Sequence, residues 1–308
     1  MSNAFQVPAA FTVAAPVAEA LAAGGPVVAL ETAVLTHGLP HPLGLETLRA
    51  MAAAVAAEGA LPAVIGMLGG QLTVGLDEAE LAALAEAGAP RRKLGRRDLA
   101  LAALAGADGG TTVSATLWAA AQAGIAVLAT GGIGGVHRGA PQDVSTDLPA
   151  LSQSPVLVVA SGAKSLLDLP ATLEVLETYG VPVLGYGTDS FPAFYVAVTE
   201  LPITARVDGP AQAAAAWRMA RTLGLPGGML LAVPVPAEQA IGAAEVEAWV
   251  AAATAEATAA GASGQALTPW VLSRLAALSG GRTLAANRAL LVNNGAVAGR
   301  VAMALGGT

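Results

Sequence analysis

The chain has 308 residues, 55% of them apolar, with no cysteine and a formal net charge of −7. That apolar content supplies a sizeable core without disulfides and fits a cytoplasmic protein. The acidic balance and an aromatic content of only 4% exclude a nucleic-acid polymer, whose backbone calls for clustered positive charge and whose bases call for stacking platforms.

The opening "MSNAFQVPAAF" lacks the basic start and unbroken apolar run of an export signal, so no export is expected. "PVVALET" reads as a buried strand ending on Glu31 and Thr32, followed by a helix, "LETLRAMAAAVAAE", that Gly59 should close. His37 and His41 stand four apart, but Pro40 and Pro42 interrupt any helix that would bring them to one face, which disfavours zinc. "PAVIGML" is the next strand, and "DEAELAALAEA" a helix ending before Gly88.

"RRKLGRRDL", residues 91–99, is either a solvated basic face or a phosphate clamp. The clamp reading gains from "GGTTVSATLW", where glycines lead through Thr112 and Val113 into a helix whose first N–H groups favour an anion. Gly124 should end that helix, and "IAVLAT" is a strand ending on Thr130. Mean hydropathy is +0.62, and residues 109–136 carry no charge over more than the roughly 20 residues a bilayer needs. Glycines break the stretch into helix, strand and loop, so it reads as core and no membrane partner is expected.

"GGIGGVHRG" does not have dinucleotide-fingerprint spacing, because His137 stands where a glycine should. It serves either close backbone approach to a ligand or a structural loop. "HRGAPQDVSTDLP" offers Asp143 and Asp147; one loop carboxylate plus water suffices for a hard divalent cation. "PVLVVAS" is a strand leading into Ser161, Gly162 and Lys164. "PATLEVLETY" is a helix closed by Gly180, and "VPVLGYG" and "GGMLLAV" are two more strands. Helices follow over roughly 237–260, 268–278 and 283–304.

Runs apolar on both faces, alternating with helices, define an α/β protein with a mostly parallel sheet clad by helices on each side. Residues 1–308 read as one domain, its helical portion, about 237–308, packed on that sheet. In such folds ligands bind beyond the carboxyl ends of strands. Glu31, Thr130, His137 and Lys164 all stand there. Glu31 alone is either a local cap or a proton donor. Lys164 is one of only two lysines among 15 basic residues, the other being Lys93. It follows an apolar run with no second positive charge near it. A lysine amine can attack a carbonyl and form a Schiff base, which a guanidinium cannot.

Collectively these segments resemble the pseudouridine-5′-phosphate glycosidase family, which includes the indigoidine-cluster protein A. The resemblance is carried by "ALETAVLTHGLPHP", "PAVIGMLGGQLTVGL", "KLGRRDL", "GGTTVSATL", "ATGGIGGVHRGA", "DVSTDL", "SGAKSLLDL", "ETYGVPVLGY" and "LLVNNGAVA", in order over roughly residues 12–304. It implies a three-layer α/β/α fold around a mostly parallel or mixed sheet, and cleavage of the C–C glycosidic bond of pseudouridine 5′-phosphate to uracil and ribose 5-phosphate, with Mn²⁺ or another divalent cation such as Mg²⁺, in a cytoplasmic homotrimer. By the same resemblance Lys164 is the nucleophile, Glu31 the proton donor, His137 a further catalytic position and Asp143 the metal ligand. Lys93, Thr112, Val113, Thr130, Ser145, Thr146, Asp147 and the pair Asn293 and Asn294 fall on substrate-binding positions, the pair near the base. Two departures are visible: the loop before Asp143 is two residues shorter, and Val233 stands where asparagine is expected. The amine explains the chemistry, since uracil leaves from carbon and an iminium is the electron sink that C–C cleavage needs. A Schiff-base aldolase acting on a sugar phosphate and a non-catalytic sugar-phosphate-binding protein remain the alternative readings.

Overall fold

The computed structural model describes residues 10–261 and 267–306. The opening segment up to residue 9 therefore lies outside the described residues. In chain order the elements are β1 (Phe11–Val13), α1 (Ala15–Ala22), β2 (Val27–Leu30), α2 (Leu43–Ala57), β3 (Leu61–Leu68), β4 (Gln71–Val74), α3 (Glu78–Leu84), β5 (Arg92–Leu94), α4 (Leu99–Leu104), β6 (Gly109–Thr111), α5 (Val113–Ala123) and β7 (Val127–Ala129). There follow β8 (Val136–His137), β9 (Ala140–Val144), α6 (Asp147–Gln153), β10 (Leu157–Ala160), β11 (Leu167–Asp168), α7 (Leu169–Thr178), β12 (Val183–Tyr186), β13 (Ala205–Val207), α8 (Pro210–Thr222), β14 (Met229–Ala232), α9 (Ala243–Ala259), α10 (Leu267–Leu278) and α11 (Arg282–Gly306).

The main sheet runs β1-β4-β3-β2-β7-β10-β14-β12-β13, with β6 branching from β3 and β5 pairing with β6. From β3 through β13 every neighbouring pair is parallel; β4 and β6 meet β3 antiparallel. The sheet is therefore mixed, with a parallel centre. Helix α11, flanked by α2 and α8, covers one face, and α5 and α6 cover the other. Strands β2, β10 and β14 are buried at every position, which is why they read as unbroken apolar runs. Each fully buried Val or Leu among them contributes roughly 1.5–3 kcal/mol.

A second, three-stranded antiparallel sheet, β11-β8-β9, stands over the strand ends. Its strands are short and partly polar, which hides them from hydrophobic periodicity. The stretch 109–136 resolves into β6, α5, β7 and a loop. Helix α11 is long and apolar enough to cross a membrane by length and composition, but half of that stretch is buried within the protein.

Helix ends follow the glycine signals at Gly59, Gly124 and Gly180, all with positive φ. Gly88 differs, because α3 stops at Leu84 and the glycine belongs to the turn beyond. The helix expected from 237 begins only at Ala243: residues 237–239 form a single 3₁₀ turn, and extended backbone at Ala240 separates the two.

Candidate active site

The site grows from a division in the sheet. One edge of β3 pairs first with β2, through Val64, and then with β6, at Gly66 and Met67. Strand β2 leaves the edge where β6 takes over, and Thr32 closes the seam. Its Oγ1 donates to the Ile65 carbonyl at 2.7 Å and accepts from the Thr111 N–H at 3.0 Å. Glu31, one residue earlier, is thereby aimed past the strand ends.

The neighbouring strands β7 and β10 continue as paired loops. The Ser161 N–H donates to the Gly131 carbonyl, the Ile133 N–H to Gly162, and the Lys164 N–H to Ile133, at 2.9, 3.0 and 3.2 Å. This zipper carries Lys164 to the cavity. Gly162 cannot be replaced in it, because its φ is +71° and a Cβ would stand 1.9 Å from the Pro192 carbonyl oxygen.

The resulting cavity has two lobes that share Glu31, Ala33, Lys93 and Lys164. The inner lobe is walled by His37, Phe194, Leu272, Leu291, Asn287 and the Gly131–Gly132 backbone. The outer lobe is polar, with Arg97, Thr112, His137, Asp143, Ser145 and Thr146 among its lining residues, together with Val113, Asp98 and Asp147. Lys164 therefore does not stand apart from other positive charge: Lys93, seventy-one positions earlier, faces the same space. Burial lowers the Lys93 amine from its ordinary value and Lys164 lowers it further, opposed by Asp147 and Glu31.

Glu31 accepts a hydrogen bond from Thr130 Oγ1 at one carboxyl oxygen. Its carboxyl is held above the ordinary carboxylate value, chiefly because protein encloses it. Lys164 and the Thr130 hydroxyl oppose that shift without cancelling it, and Asp147 adds to it. His37 accepts or donates at Nδ1 with Thr36 Oγ1, 2.7 Å away. Burial, then Lys93, lowers the proton affinity of that imidazole.

Asp147 is 5% exposed. Its Oδ1 accepts from the Ser114 N–H at the start of α5, and its Oδ2 from the Gly134 N–H, both at 2.9 Å. The anion that the α5 N-terminus favours is thus at least partly the protein's own carboxylate. Gly134 must lack a side chain here, since a Cβ would meet Ser145 Oγ at 2.2 Å and Asp147 Oδ2 at 3.0 Å. "GGIGG" therefore serves both readings: its first two glycines wall the cavity and its last two allow close packing.

The asparagine pair requires correction. Asn293 lines a separate groove with Leu43, Pro236 and Gln239, because on α11 it points about 100° away from its neighbour. Asn294 is fully buried beneath the loops, bonded to the Thr130 carbonyl and Ser161, so neither member of the pair stands in the cavity wall. The asparagine that does is Asn287, one heptad before Asn294 and so on the same helix face. That spacing was readable in the sequence. Phe194, at the only described non-glycine position with positive φ (59°), was not readable.

The shortened loop closes as an Arg138–Gly139 turn between β8 and β9, leaving Asp143 exposed at the mouth of the outer lobe. Val233 is buried at 3% exposure, so no polar contact arises from it. Among the described residues no three His, Asp or Glu side chains gather as a metal-ligand set. A single carboxylate beside open polar space suits a hard cation that keeps most of its water, and it does not suit zinc.

An enclosed acid and two amines converging beyond the ends of parallel strands define an α/β enzyme. The chain belongs to the indigoidine synthase A-like family, whose model (Indigoidine synthase A like protein) matches residues 16–304. It is 54% identical over 288 residues to a pseudouridine-5′-phosphate glycosidase of Herpetosiphon aurantiacus, covering 93% of this chain and 95% of that one. It is 52% identical over 293 residues to one of Methylobacterium nodulans, covering 94% and 87%. Among solved structures it superposes with a TM-score of 0.88 on the prealnumycin C-glycosynthase AlnA in complex with ribulose 5-phosphate, at 39% identity and 96% and 97% coverage. An indigoidine synthase A-like protein of Thermotoga maritima gives the same TM-score at 34% identity and 96% coverage of both chains.

Proposed function

We propose that this enzyme cleaves pseudouridine 5′-phosphate to uracil and ribose 5-phosphate through a covalent adduct on Lys164. The observation that carries the reading is the convergence of Lys164 with an enclosed Glu31 whose proton is retained above the ordinary carboxylate range. The names of the relatives support the substrate.

In this reading Glu31 gives its proton to the ribose ring oxygen as the Lys164 amine attacks C1′. The C1′–O bond breaks and a C1′–N bond forms. The adduct nitrogen, an ammonium on forming, gives up a proton, its lone pair closes a C=N bond as the bond from C1′ to uracil C5 breaks, and C5 takes up a proton in exchange. Water adds to the iminium and releases ribose 5-phosphate and the free amine. The apolar inner lobe, with Asn287 and His37 at its wall, suits a flat base. The outer lobe, with Lys93, Arg97, Thr112, Val113, Ser145 and Thr146, suits a phosphorylated sugar. His137 borders that lobe as a proton carrier for the sugar hydroxyls. Asp147 acts on the substrate by fixing Gly134 and the α5 N-terminus.

Asp143 would hold Mn²⁺ or Mg²⁺ through one carboxylate and water. Such a cation supplies positive charge toward the sugar phosphate. A homotrimer working in the cytoplasm completes the proposal; a solution mass three times that of the chain is the result expected of it.

The test is uracil release from pseudouridine 5′-phosphate by the parent protein and by Lys164→Arg, with borohydride trapping of ribose 5-phosphate on the peptide carrying residue 164. Release and trapping by the parent, both lost in the variant, are expected. Release that survives in the variant overturns the mechanism, and a three-carbon product would instead indicate an aldolase. The C-glycosynthase neighbour favours one second reading, formation of a C–C bond from a sugar phosphate and an aromatic acceptor. Supplying ribose 5-phosphate with uracil, then with larger acceptors, separates the two.

A further inference from the structure

We infer that Asn294 is a positioning residue that holds the proton donor and the amine in register from behind the cavity. This rests on the reading of Glu31 and Lys164 given above.

Asn294 is completely buried on α11. Its Nδ2 donates to the Thr130 carbonyl at 2.8 Å, to Ser161 Oγ at 3.1 Å and, more weakly, to the Gly131 carbonyl at 3.4 Å. Ser161 Oγ in turn lies 3.3 Å from Asn294 Oδ1. The orientation of the amide is fixed, because only its NH₂ end can face a carbonyl. One side chain therefore grips the first residue beyond β7 and the first residue beyond β10. Thr130 carries the hydroxyl bonded to Glu31. Ser161 begins the three-residue run to Lys164, and its own N–H is paired to Gly131. The two loops are thus clamped together at the root from which both reacting groups project.

A polar clamp at this point has a physical rationale. The parallel ladder ends there: the Gly131 carbonyl still accepts from the Ser161 N–H, whereas among the hydrogen bonds described the Thr130 carbonyl accepts only from Asn294 Nδ2. Buried carbonyls need donors. An apolar residue on α11 would fill the space but leave the Thr130 oxygen without a donor and free to rotate away. A shift of about 1 Å at the root suffices to cost on the order of 100-fold in rate.

The experiment uses the full chain with Asn294→Leu, which conserves volume, and the milder Ser161→Ala, which removes one partner and folds if the first variant does not. Three quantities are read: affinity for ribose 5-phosphate, the rate of borohydride-trappable adduct formation with steady-state kcat, and amide hydrogen exchange over residues 130–133 and 161–164. The expected result is affinity within about threefold of the parent, trapping and kcat reduced roughly 10- to 100-fold, and faster exchange in both segments. Affinity that falls in parallel with kcat overturns the inference by making Asn294 a substrate contact. Unchanged kcat overturns it as well. If the parent itself traps no adduct, the mechanism fails, and the exchange measurement still decides the inference: unchanged exchange in both segments refutes the clamp.

Discussion

Lys93 and Lys164, the only lysines in the chain, line both lobes of one cavity together with Glu31. Charge alone does not explain their identity, since arginine fills the other 13 basic positions. Each amine must be compact enough to share an enclosed space. For Lys93→Met we expect kcat/KM to fall by about 10²-fold or more, mainly through KM, as a charge facing a phosphorylated substrate is lost. Lys93→Arg should recover only part of this. Steady-state kinetics on both variants checks it.

Replacement of Glu31 by glutamine should abolish turnover and stabilise the fold. The sign follows from the raised folded-state value of the carboxyl. Below the unfolded carboxylate range the group is protonated in both states and carries no penalty. As pH rises through the folded value, the ionised form becomes costly in the fold and stability is lost. Glu31→Gln therefore gains roughly 0.5–2 kcal/mol at neutral pH, the usual return on neutralising a strained functional group, and the gain disappears near pH 4. Urea denaturation at the two pH values measures this.

Thr130→Val removes the hydroxyl that favours ionised Glu31. The alkaline limb of the kcat/KM profile, where the donor loses its proton, should move to higher pH, with the plateau falling about tenfold as the carboxyl loses its orientation. A limb that stays in place would assign the titration to another group.

Gly162→Ala places a methyl 1.9 Å from the Pro192 carbonyl oxygen at a φ of +71°. Backbone strain and overlap together cost on the order of 3 kcal/mol or more. Chemical denaturation should show that loss, and activity should fall further than stability because Lys164 is two residues away.

Chelation should reduce activity while lowering the melting temperature only slightly, since a cation held by one exposed carboxylate and water binds the folded chain weakly. In Asp143→Asn, half-maximal activation should need about tenfold more Mn²⁺ or above, as one charged oxygen is exchanged for a neutral one. A titration of activity against free metal tests it.

The central strands were legible because burial on both faces writes itself as continuous Val, Leu and Ala. Glu31, Thr130 and Lys164 were legible as a set because parallel strands deliver their C-terminal residues to one edge. Strands β5, β6, β8 and β11 were not, since two or three residues rich in glycine and charge leave no periodicity. The Lys93–Lys164 juxtaposition depends on β5 pairing with β6 and β6 with β3, contacts that adjacent sequence does not encode. Asn294 drew attention through its motif, but its partners are carbonyls, and a carbonyl has no sequence signature. Asp147 lines the outer lobe, and its two backbone donors, like those carbonyls, have no sequence signature.

The clamp on Thr130 and Ser161 comes from α11, more than a hundred residues after the strands it organises. A nascent chain halted before α11 would carry the acid and both lysines yet lack the part that aligns them. Competence therefore waits for α11 to be made, and products cut short of it should be chemically silent.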